Sequence, residues 1–179
     1  VRTLGVVVDD PSYVCLLVEL ANLGSLRALL NETPSSVVDK PDTQLRVATD
    51  MAHGLAYLHG LEPPMLHHDL KSDNVLLFSG QAGRALTAKI GDFGLATGLT
   101  ESTLAASTRA AGAGTTAYKA PEQFDDEIGT ESEVYSYAIV LWEVITGGVP
   151  WHRDANGKAY MDVNVMRLVV DKGRRPEIP

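Results

Sequence analysis

The chain has 179 residues, of which 45% are apolar and 21% charged, and its formal net charge is −8 at pH 7. This composition is typical of a globular domain and excludes an intrinsically disordered or collagen-like chain. The acidic balance provides no long-range attraction to phosphate backbones or anionic lipids, so we expect no nucleic-acid partner.

Cysteine usage and the start of the chain bear on its compartment. Cys15 is the single cysteine, and its place in the run YVCLLVEL predicts a small core residue in a reducing compartment. No apolar stretch reaches the roughly 18 residues of a membrane span, because Glu19 and Glu143 interrupt the candidate runs. The chain begins at Val1 inside an apolar run, which indicates an internal, cytoplasmic segment of a longer protein that could itself be membrane-tethered.

The first 41 residues predict a hairpin and a short helix. Two apolar segments, residues 6–8 and 13–20, flank the turn residues DDPS, which indicates an antiparallel hairpin. Ser25 precedes LRALLNE and is a suitable N-cap for a short amphipathic helix. Residues 32–41 are interpreted as a loop.

A longer helix follows. Its apolar residues recur every three or four positions: Leu45, Ala48, Met51, Ala52, Leu55 and Leu58. This spacing predicts a helix from Thr43 to His59, capped by Asp42 or Thr43 and ended by Gly60.

The second half predicts another hairpin, a long loop and two helices. VLLF at 75–78 and ALTAKI at 85–90 predict the hairpin, and residues 95–117 lack any apolar period and predict a surface loop. A stripe of Val134, Ala138, Leu141 and Ile145, widened by Tyr137 and Trp142, predicts a buried central helix. A last helix is expected over about 160–172.

Four polar residues in the loops that flank the second hairpin carry the chemistry. Asn74 and Asp92 are expected close together, because an antiparallel hairpin returns the chain beside its start. Amide and carboxylate oxygens suit a hard cation such as Mg²⁺. Asp69 can accept a hydroxyl proton and Lys71 can neutralise a phosphoryl oxygen, which together are what phosphoryl transfer requires.

A transition-metal cluster is the alternative at this loop. His67, His68 and Asp69 are metal-ligating residue types. Adjacent residues on a loop rarely converge on one ion, so phosphoryl transfer is favoured.

Three motifs in this order resemble a protein kinase. HHDLKSDN at 67–74 resembles the catalytic loop, and DFG at 92–94 and APE at 120–122 match the ends of the activation segment. VELANLGSL resembles the hinge between lobes, and KGRRPEIP resembles the tyrosine-kinase-like Ser/Thr group. The resemblance implies an α+β protein-kinase-like fold over 1–179, with the last small-lobe strands in 1–20 and the hinge and most of the large lobe in 21–179.

The resemblance also implies catalytic roles. Asp69 would be the catalytic base, Lys71 would contact the transferring phosphate, and Asn74 and Asp92 would hold Mg²⁺. Lys71 together with Thr115 in GTTAYKAPE resembles the Ser/Thr-directed pattern.

On the ATP side, the resemblance implies a hinge and a hydrophobic floor. Val18 would be the gatekeeper, Glu19 and Ala21 would offer backbone groups to adenine, and Leu76 would pack beneath it. His67 and Phe93 would belong to the hydrophobic column that links the lobes.

The chain departs from the family pattern in places. His68 replaces an Arg that reads an activation-segment phosphate, Glu133 replaces an Asp that braces the catalytic loop, and Ala138 replaces a helix Gly. The sequence contains no glycine-rich phosphate loop, no strand Lys of the Val-Ala-Ile-Lys kind and no partner Glu on a preceding helix, and it ends before the late Arg that usually pairs with Glu122. The hydroxyl residues of the 95–117 loop are either solvated or phosphorylated, and the sequence leaves both open.

The expected function is ATP-dependent phosphoryl transfer to Ser/Thr hydroxyls of protein substrates by the intact parent protein. The alternative is a pseudokinase or scaffold that binds partners without catalysis. The presence of Asp69, Lys71, Asn74 and Asp92 favours the enzyme, because a binding module needs neither a pair of metal-binding residues nor a catalytic base.

Overall fold

The computed structural model describes residues 1–10, 13–80, 86–99, 114–152, 157 and 159–178. Its strands are β1 Thr3–Asp10, β2 Tyr13–Val18, β3 Met65–Leu66, β4 Val75–Ser79, β5 Leu86–Ile90 and β6 Thr97–Gly98. Its helices are α1 Leu26–Glu32, α2 Ser35–Val38, α3 Pro41–His59, α4 Thr130–Thr146 and α5 Asp162–Val170, with 3₁₀ turns at Ser72–Asn74, Thr116–Tyr118 and Pro121–Asp125. The core lies between α1, α3, α4 and the β4–β5 hairpin.

Strands β1 and β2 form the expected antiparallel hairpin, with Val7 opposite Cys15. Three consecutive valines, Val6 to Val8, are about half exposed, so neither face of the hairpin is covered by the described residues. Cys15 is exposed as well, and the prediction that it is a core residue is wrong. An apolar run marks a core strand only where another layer covers it. The turn residues 11–12 lie outside the described residues.

Helix α1 is confirmed at its predicted bounds, and the Ser25 hydroxyl accepts the Ala28 N–H at 3.2 Å. The interpretation of 32–41 as a loop is wrong in part, because α2 forms there. Pro34 at its start has a helical φ of −55°, and Val37 is fully buried. Proline is favoured where a helix begins, since it supplies no N–H that needs a partner.

Helix α3 begins at Pro41, two residues before the expected start, and Lys40 caps it without a side-chain hydrogen bond. A cap by Asp42 or Thr43 is therefore wrong, because proline at the first helical position displaces the start. Leu45 is 67% exposed, and the buried face contains Val47, Met51, Leu55 and Leu58. Gly60 ends the helix as predicted.

Helix α4 is present, but the predicted buried stripe is wrong. Val134 and Ile145 are 56% and 54% exposed, and Leu141 and Trp142 are only partly buried. The buried face contains Ser132, Glu133, Ser136, Ile139, Val140, Glu143 and Val144. The helix carries apolar residues on most of its sides. The spacing of these residues therefore does not identify the side that faces the core. Polar residues occupy that face because partners from other elements bond to them.

The β4–β5 hairpin is confirmed, with Val75 opposite Ile90. Strands β3 and β6 form a two-residue antiparallel ladder, and β6 lies inside the 95–117 segment expected to be a loop. A strand of two residues is too short to produce a recognisable alternation of apolar and polar residues. Residues 81–85 and 100–113 lie outside the described residues, and α5 is shorter at both ends than expected. Over the described ranges, no helix is long and apolar enough to cross a bilayer.

Candidate active site

The loop 67–74 is fastened to α4 by one buried carboxylate. Glu133, 3% exposed, accepts the backbone N–H of His67 at 2.5 Å and of His68 at 2.7 Å through Oε1. Its Oε2 lies 2.8 Å from His59 Nε2 at the end of α3. His68 has φ 68°, a left-handed conformation that costs about 1–3 kcal/mol in a non-glycine residue. Glu133 holds the loop in that conformation, so the residue that replaces the family's Asp still braces it.

Asp69 is the centre of a compact polar cluster. Its Oδ2 lies 2.7 Å from Lys71 Nζ, and its Oδ1 accepts the Thr115 N–H at 2.9 Å and hydroxyl at 3.0 Å. The Lys71 ammonium also donates to the Thr115 hydroxyl at 2.9 Å. Gly114 permits this approach, because a Cβ there would lie 2.7 Å from the His68 carbonyl oxygen and φ is +84°. Three predicted residues, Asp69, Lys71 and Thr115, are therefore brought together.

Asn74 joins the same cluster and leads to Asp92. Its Nδ2 donates to the Asp69 carbonyl at 2.9 Å and to Asp69 Oδ2 at 3.3 Å. The Asn74 backbone carbonyl accepts the Gly91 N–H at 2.9 Å. Asp92 follows Gly91 in the chain, so this hydrogen bond brings the backbone at Asp92 close to Asn74. Asp92 is exposed, has φ 60°, and accepts the Gly94 N–H at 3.4 Å.

The oxygen donors present here fit Mg²⁺. The hydrogen bonds of the Asn74 side chain use its amide nitrogen, so its amide oxygen is not engaged by them. The exposed Asp92 carboxylate supplies a charged oxygen. Mg²⁺ takes one or two carboxylates and completes its octahedron with water and phosphate, so two protein donors suffice.

His67 connects the loop to the DFG segment. Its Nε2 lies 2.8 Å from the Gly91 carbonyl, its Nδ1 accepts the Asp69 N–H at 3.3 Å, and the ring is fully buried. The tautomer with a proton on Nε2 satisfies both contacts. The Phe93 ring lies 5.2 Å away, edge to face, so the two residues expected in one hydrophobic column do touch.

The predicted adenine-side residues lie along the end of β2 and the face of β4. Val18 ends β2 and is 45% exposed, and Leu76 forms an isolated bridge with Ser25. The Ala21 carbonyl accepts the Gly24 N–H at 3.2 Å. The backbone bridge between Ser25 and Leu76 therefore brings the segment that follows β2 beside β4.

Glu19 makes contacts that the sequence did not indicate. Its carboxylate lies 2.7 Å from Lys89 Nζ on β5 and accepts the Arg2 N–H at 2.6 Å. Its own N–H donates to the Arg2 carbonyl at 3.0 Å. Glu19, the residue after the predicted gatekeeper Val18, thus ties the predicted hinge to the strand that leads to DFG.

His68 bonds to the start of the predicted activation segment. Its Nε2 lies 2.6 Å from the Thr97 hydroxyl on β6. Burial lowers the pKa of His68 below its ordinary 6.5, the Glu133 charge opposes this, and His67 adds to the lowering. The ring is therefore predominantly uncharged at pH 7 and engaged with a neutral hydroxyl.

We expect the activity of the full-length protein to depend little on phosphorylation of the 95–117 loop. An uncharged ring gives little attraction to a phosphate and lacks the two-pronged donor of Arg. Since the pKa lies below about 6.5, any attraction appears only as pH falls through that value and is absent at pH 8. Phosphatase-treated and untreated protein are compared at pH 6 and pH 8, with His68→Arg as the charged counterpart. A large loss at pH 8 in the unmodified protein would show that another group reads the phosphate.

The sequence of the chain is similar to those of known protein kinases. Residues 1–179 match the family described as "Protein tyrosine and serine/threonine kinase". The chain is 36% identical over 173 residues to "Probable serine/threonine-protein kinase drkD" of Dictyostelium discoideum, covering 95% of the chain and 12% of that protein. It is 34% identical to "Serine/threonine-protein kinase CTR1" of Arabidopsis thaliana, covering 96% of the chain and 20% of that protein.

A third relative comes from an animal. The chain is 31% identical to "Receptor-interacting serine/threonine-protein kinase 2" of Bos taurus, with 94% of the chain and 30% of that protein covered. The chain thus spans less than a third of the length of each of these relatives. The expected α+β, partial kinase-like fold is confirmed. The chain belongs to the protein tyrosine and serine/threonine kinase family.

Proposed function

We propose that the full-length protein carrying this chain transfers the terminal phosphoryl group of ATP to Ser and Thr hydroxyls of protein substrates. The Asp69 carboxylate carries this proposal. One of its oxygens accepts a hydroxyl hydrogen bond from Thr115 at 3.0 Å, and the other lies 2.7 Å from the Lys71 ammonium. A base that accepts from a hydroxyl beside a cation able to neutralise a phosphoryl oxygen fits the charge changes of phosphoryl transfer.

We assign the remaining predicted roles as part of this proposal. Asn74 and Asp92 hold Mg²⁺, which neutralises charge on the phosphates when bound. Val18, the backbone of Glu19 and Ala21, and Leu76 bind adenine. Residues 1–20 are the last small-lobe strands and 21–179 the hinge and most of the large lobe. A cytoplasmic location and the lack of a nucleic-acid partner remain predictions from composition.

Preference for Ser and Thr over Tyr is the finer part of the proposal. The Lys71–Thr115 contact at 2.9 Å joins the two residues that resemble the Ser/Thr-directed pattern. The names of the relatives support the same preference.

Labelled Mg-ATP tests the proposal directly. We expect the full-length protein to incorporate radiolabelled phosphate into a generic protein substrate, with the label recovered as phosphoserine and phosphothreonine. Recovery as phosphotyrosine alone would contradict the residue preference. No transfer by a folded protein would point to the scaffold alternative.

The 179-residue chain alone is expected to bind ATP weakly, with a dissociation constant above the low micromolar range. Its sequence lacks a glycine-rich phosphate loop and a strand Lys, so adenine would be buried on one face only. High affinity for a small ligand requires burial of most of its surface. Calorimetry with Mg-ATP measures this, with circular dichroism as the check that the chain is folded. A constant at or below the low micromolar range would overturn the expectation.

A further inference from the structure

Three polar side chains from three different elements meet behind the catalytic loop. Glu143 on α4 is fully buried, and its Oε1 lies 3.1 Å from Arg27 Nη2 on α1. The same carboxylate oxygen accepts the Tyr118 hydroxyl at 2.9 Å. Arg27 Nη2 also donates to the Gly148 carbonyl at 3.2 Å, just beyond the end of α4. Arg27 therefore ties α1 to the buried face and the C-terminal end of α4.

This buried cluster continues into the catalytic loop. The Tyr118 hydroxyl lies 3.3 Å from Ser72 Oγ, and Ser72 stands next to Lys71 in the chain. The Tyr118 N–H donates to the Thr115 carbonyl at 3.0 Å, and Thr115 bonds to Asp69. The turn 115–118 is therefore fastened at one end to the base and at the other end to Ser72 and Glu143.

Stability alone does not account for a buried Arg–Glu pair, since a well-packed apolar pair of similar volume is often at least as stable. Burial raises the pKa of Glu143 to about 7 although Arg27, Ser72 and Tyr118 lower it, and Asp73 raises it further. Within the part of the chain that the structure describes, Arg27 Nε and Nη1 and Glu143 Oε2 have no hydrogen-bond partner. A costly pair with unfilled hydrogen bonds is consistent with a role in geometry.

We propose that Arg27 is a positioning residue for the phosphoryl-transfer site. Arg27 orients the Glu143 carboxylate, and through the Tyr118 hydroxyl it holds Ser72 and the turn 115–118 in register with Asp69. The proposal rests on the proposed function and names a residue outside the loop 67–74 and the DFG segment. It predicts an effect on turnover that depends on the Tyr118 hydroxyl.

The first test measures kinetics in the full-length protein. We expect Arg27→Met to lower kcat by about tenfold and to leave KM for ATP within about twofold, because the predicted adenine contacts lie elsewhere. In a Tyr118→Phe background the same substitution should change kcat by less than about twofold. An equal loss in both backgrounds, or a rise in KM for ATP without a loss of kcat, would overturn the proposal.

A charge-matched double variant keeps the test valid if Arg27→Met folds poorly. Arg27→Met with Glu143→Gln leaves no unpaired buried charge, and the Gln oxygen can still accept the Tyr118 hydroxyl. We expect this double variant to keep the loss of kcat of Arg27→Met, because no group then orients the side chain at position 143. Recovery of wild-type kcat would contradict the proposed role, because the unpaired buried charge rather than the absence of Arg27 would then account for the loss. Arg167→Met on the exposed side of α5 is the matched control and should have wild-type kcat.

Hydrogen exchange separates this proposal from the proposed function. Arg27→Met should speed exchange of the Tyr118 amide, which donates to Thr115 inside the fastened turn, while Arg167→Met should not. Faster exchange in a protein without kinase activity would retain the structural link from Arg27 to the turn 115–118 and reject the proposed function. Unchanged exchange in an active protein would reject the positioning role alone.

Discussion

An Asp92→Ala variant of the full-length protein is expected to lose phosphoryl transfer below detection. Asp92 is the one negatively charged member of the proposed Mg²⁺ donor pair, because the Asn74 amide is neutral. Its removal leaves a single neutral protein oxygen, and a hard cation that must also neutralise phosphate charge is then poorly held. The backbone link from Gly91 to Asn74 remains, so the loss is specific to the carboxylate.

The backbone at Asp92 decides which substitution is conclusive. Asp92 has φ 60°, a conformation that Asn and Asp tolerate and that strains Ala. Asp92→Asn therefore removes the charge without the strain and should be as inactive as Asp92→Ala. Asp126, exposed and with φ 64°, allows the same Asp→Asn change outside the site and should retain full activity. Radiolabel incorporation is the assay, and Asp92→Asn activity within tenfold of wild type would reject the metal role.

The elements that the sequence predicted well are those fixed by local chemistry. Ser25 caps α1 because a hydroxyl three residues before an N–H can bond to it whatever the rest of the chain does. The β4–β5 pairing follows from two short apolar segments that are near neighbours in the chain, and it brings Asn74 beside Gly91, one residue from Asp92, in line with the expected proximity of Asn74 and Asp92. Asp69, Lys71 and Asn74 meet because they lie within six residues of one loop.

The features that the sequence did not predict depend on distant partners. Glu133 and Glu143 are ionisable residues on the inward face of α4. Sequence patterns predict apolar residues on the buried face of a helix. The two glutamates are buried there because loop N–H groups, Arg27 and Tyr118 come from other elements to pair with them. The Glu19–Lys89 pair joins residues 70 positions apart, and no spacing rule reaches that far. Cys15 is the opposite case, an apolar residue that is exposed. An apolar run in the sequence does not show whether another layer covers the strand.

Replacement of Asp69 by Ala is expected to lower kcat of the full-length protein by about 10² to 10⁴, the usual range for one general acid-base group. The methyl group cannot accept the proton of a substrate hydroxyl, and it leaves the Thr115 hydroxyl and the Lys71 ammonium without their shared partner. KM for ATP should change little, because the proposed adenine contacts lie on β2, the hinge and β4. The loss therefore belongs to the chemical step.

Asp69→Asn separates the loss of the base from the loss of the local hydrogen bonds. The Asn oxygen can accept from the Thr115 N–H and hydroxyl as Asp69 Oδ1 does, but an amide cannot take up a proton. In Asp69, Oδ2 lies 2.7 Å from Lys71 Nζ. In Asp69→Asn the amide nitrogen would take that place, and two hydrogen-bond donors would then face each other. We therefore expect Asp69→Asn to lose as much activity as Asp69→Ala while its thermal midpoint stays closer to wild type. Asp73, an exposed carboxylate of the same loop, provides the matched control: Asp73→Asn should keep the wild-type rate constant in single-turnover assays with labelled ATP. Full activity in Asp69→Asn would mean that another group takes the proton.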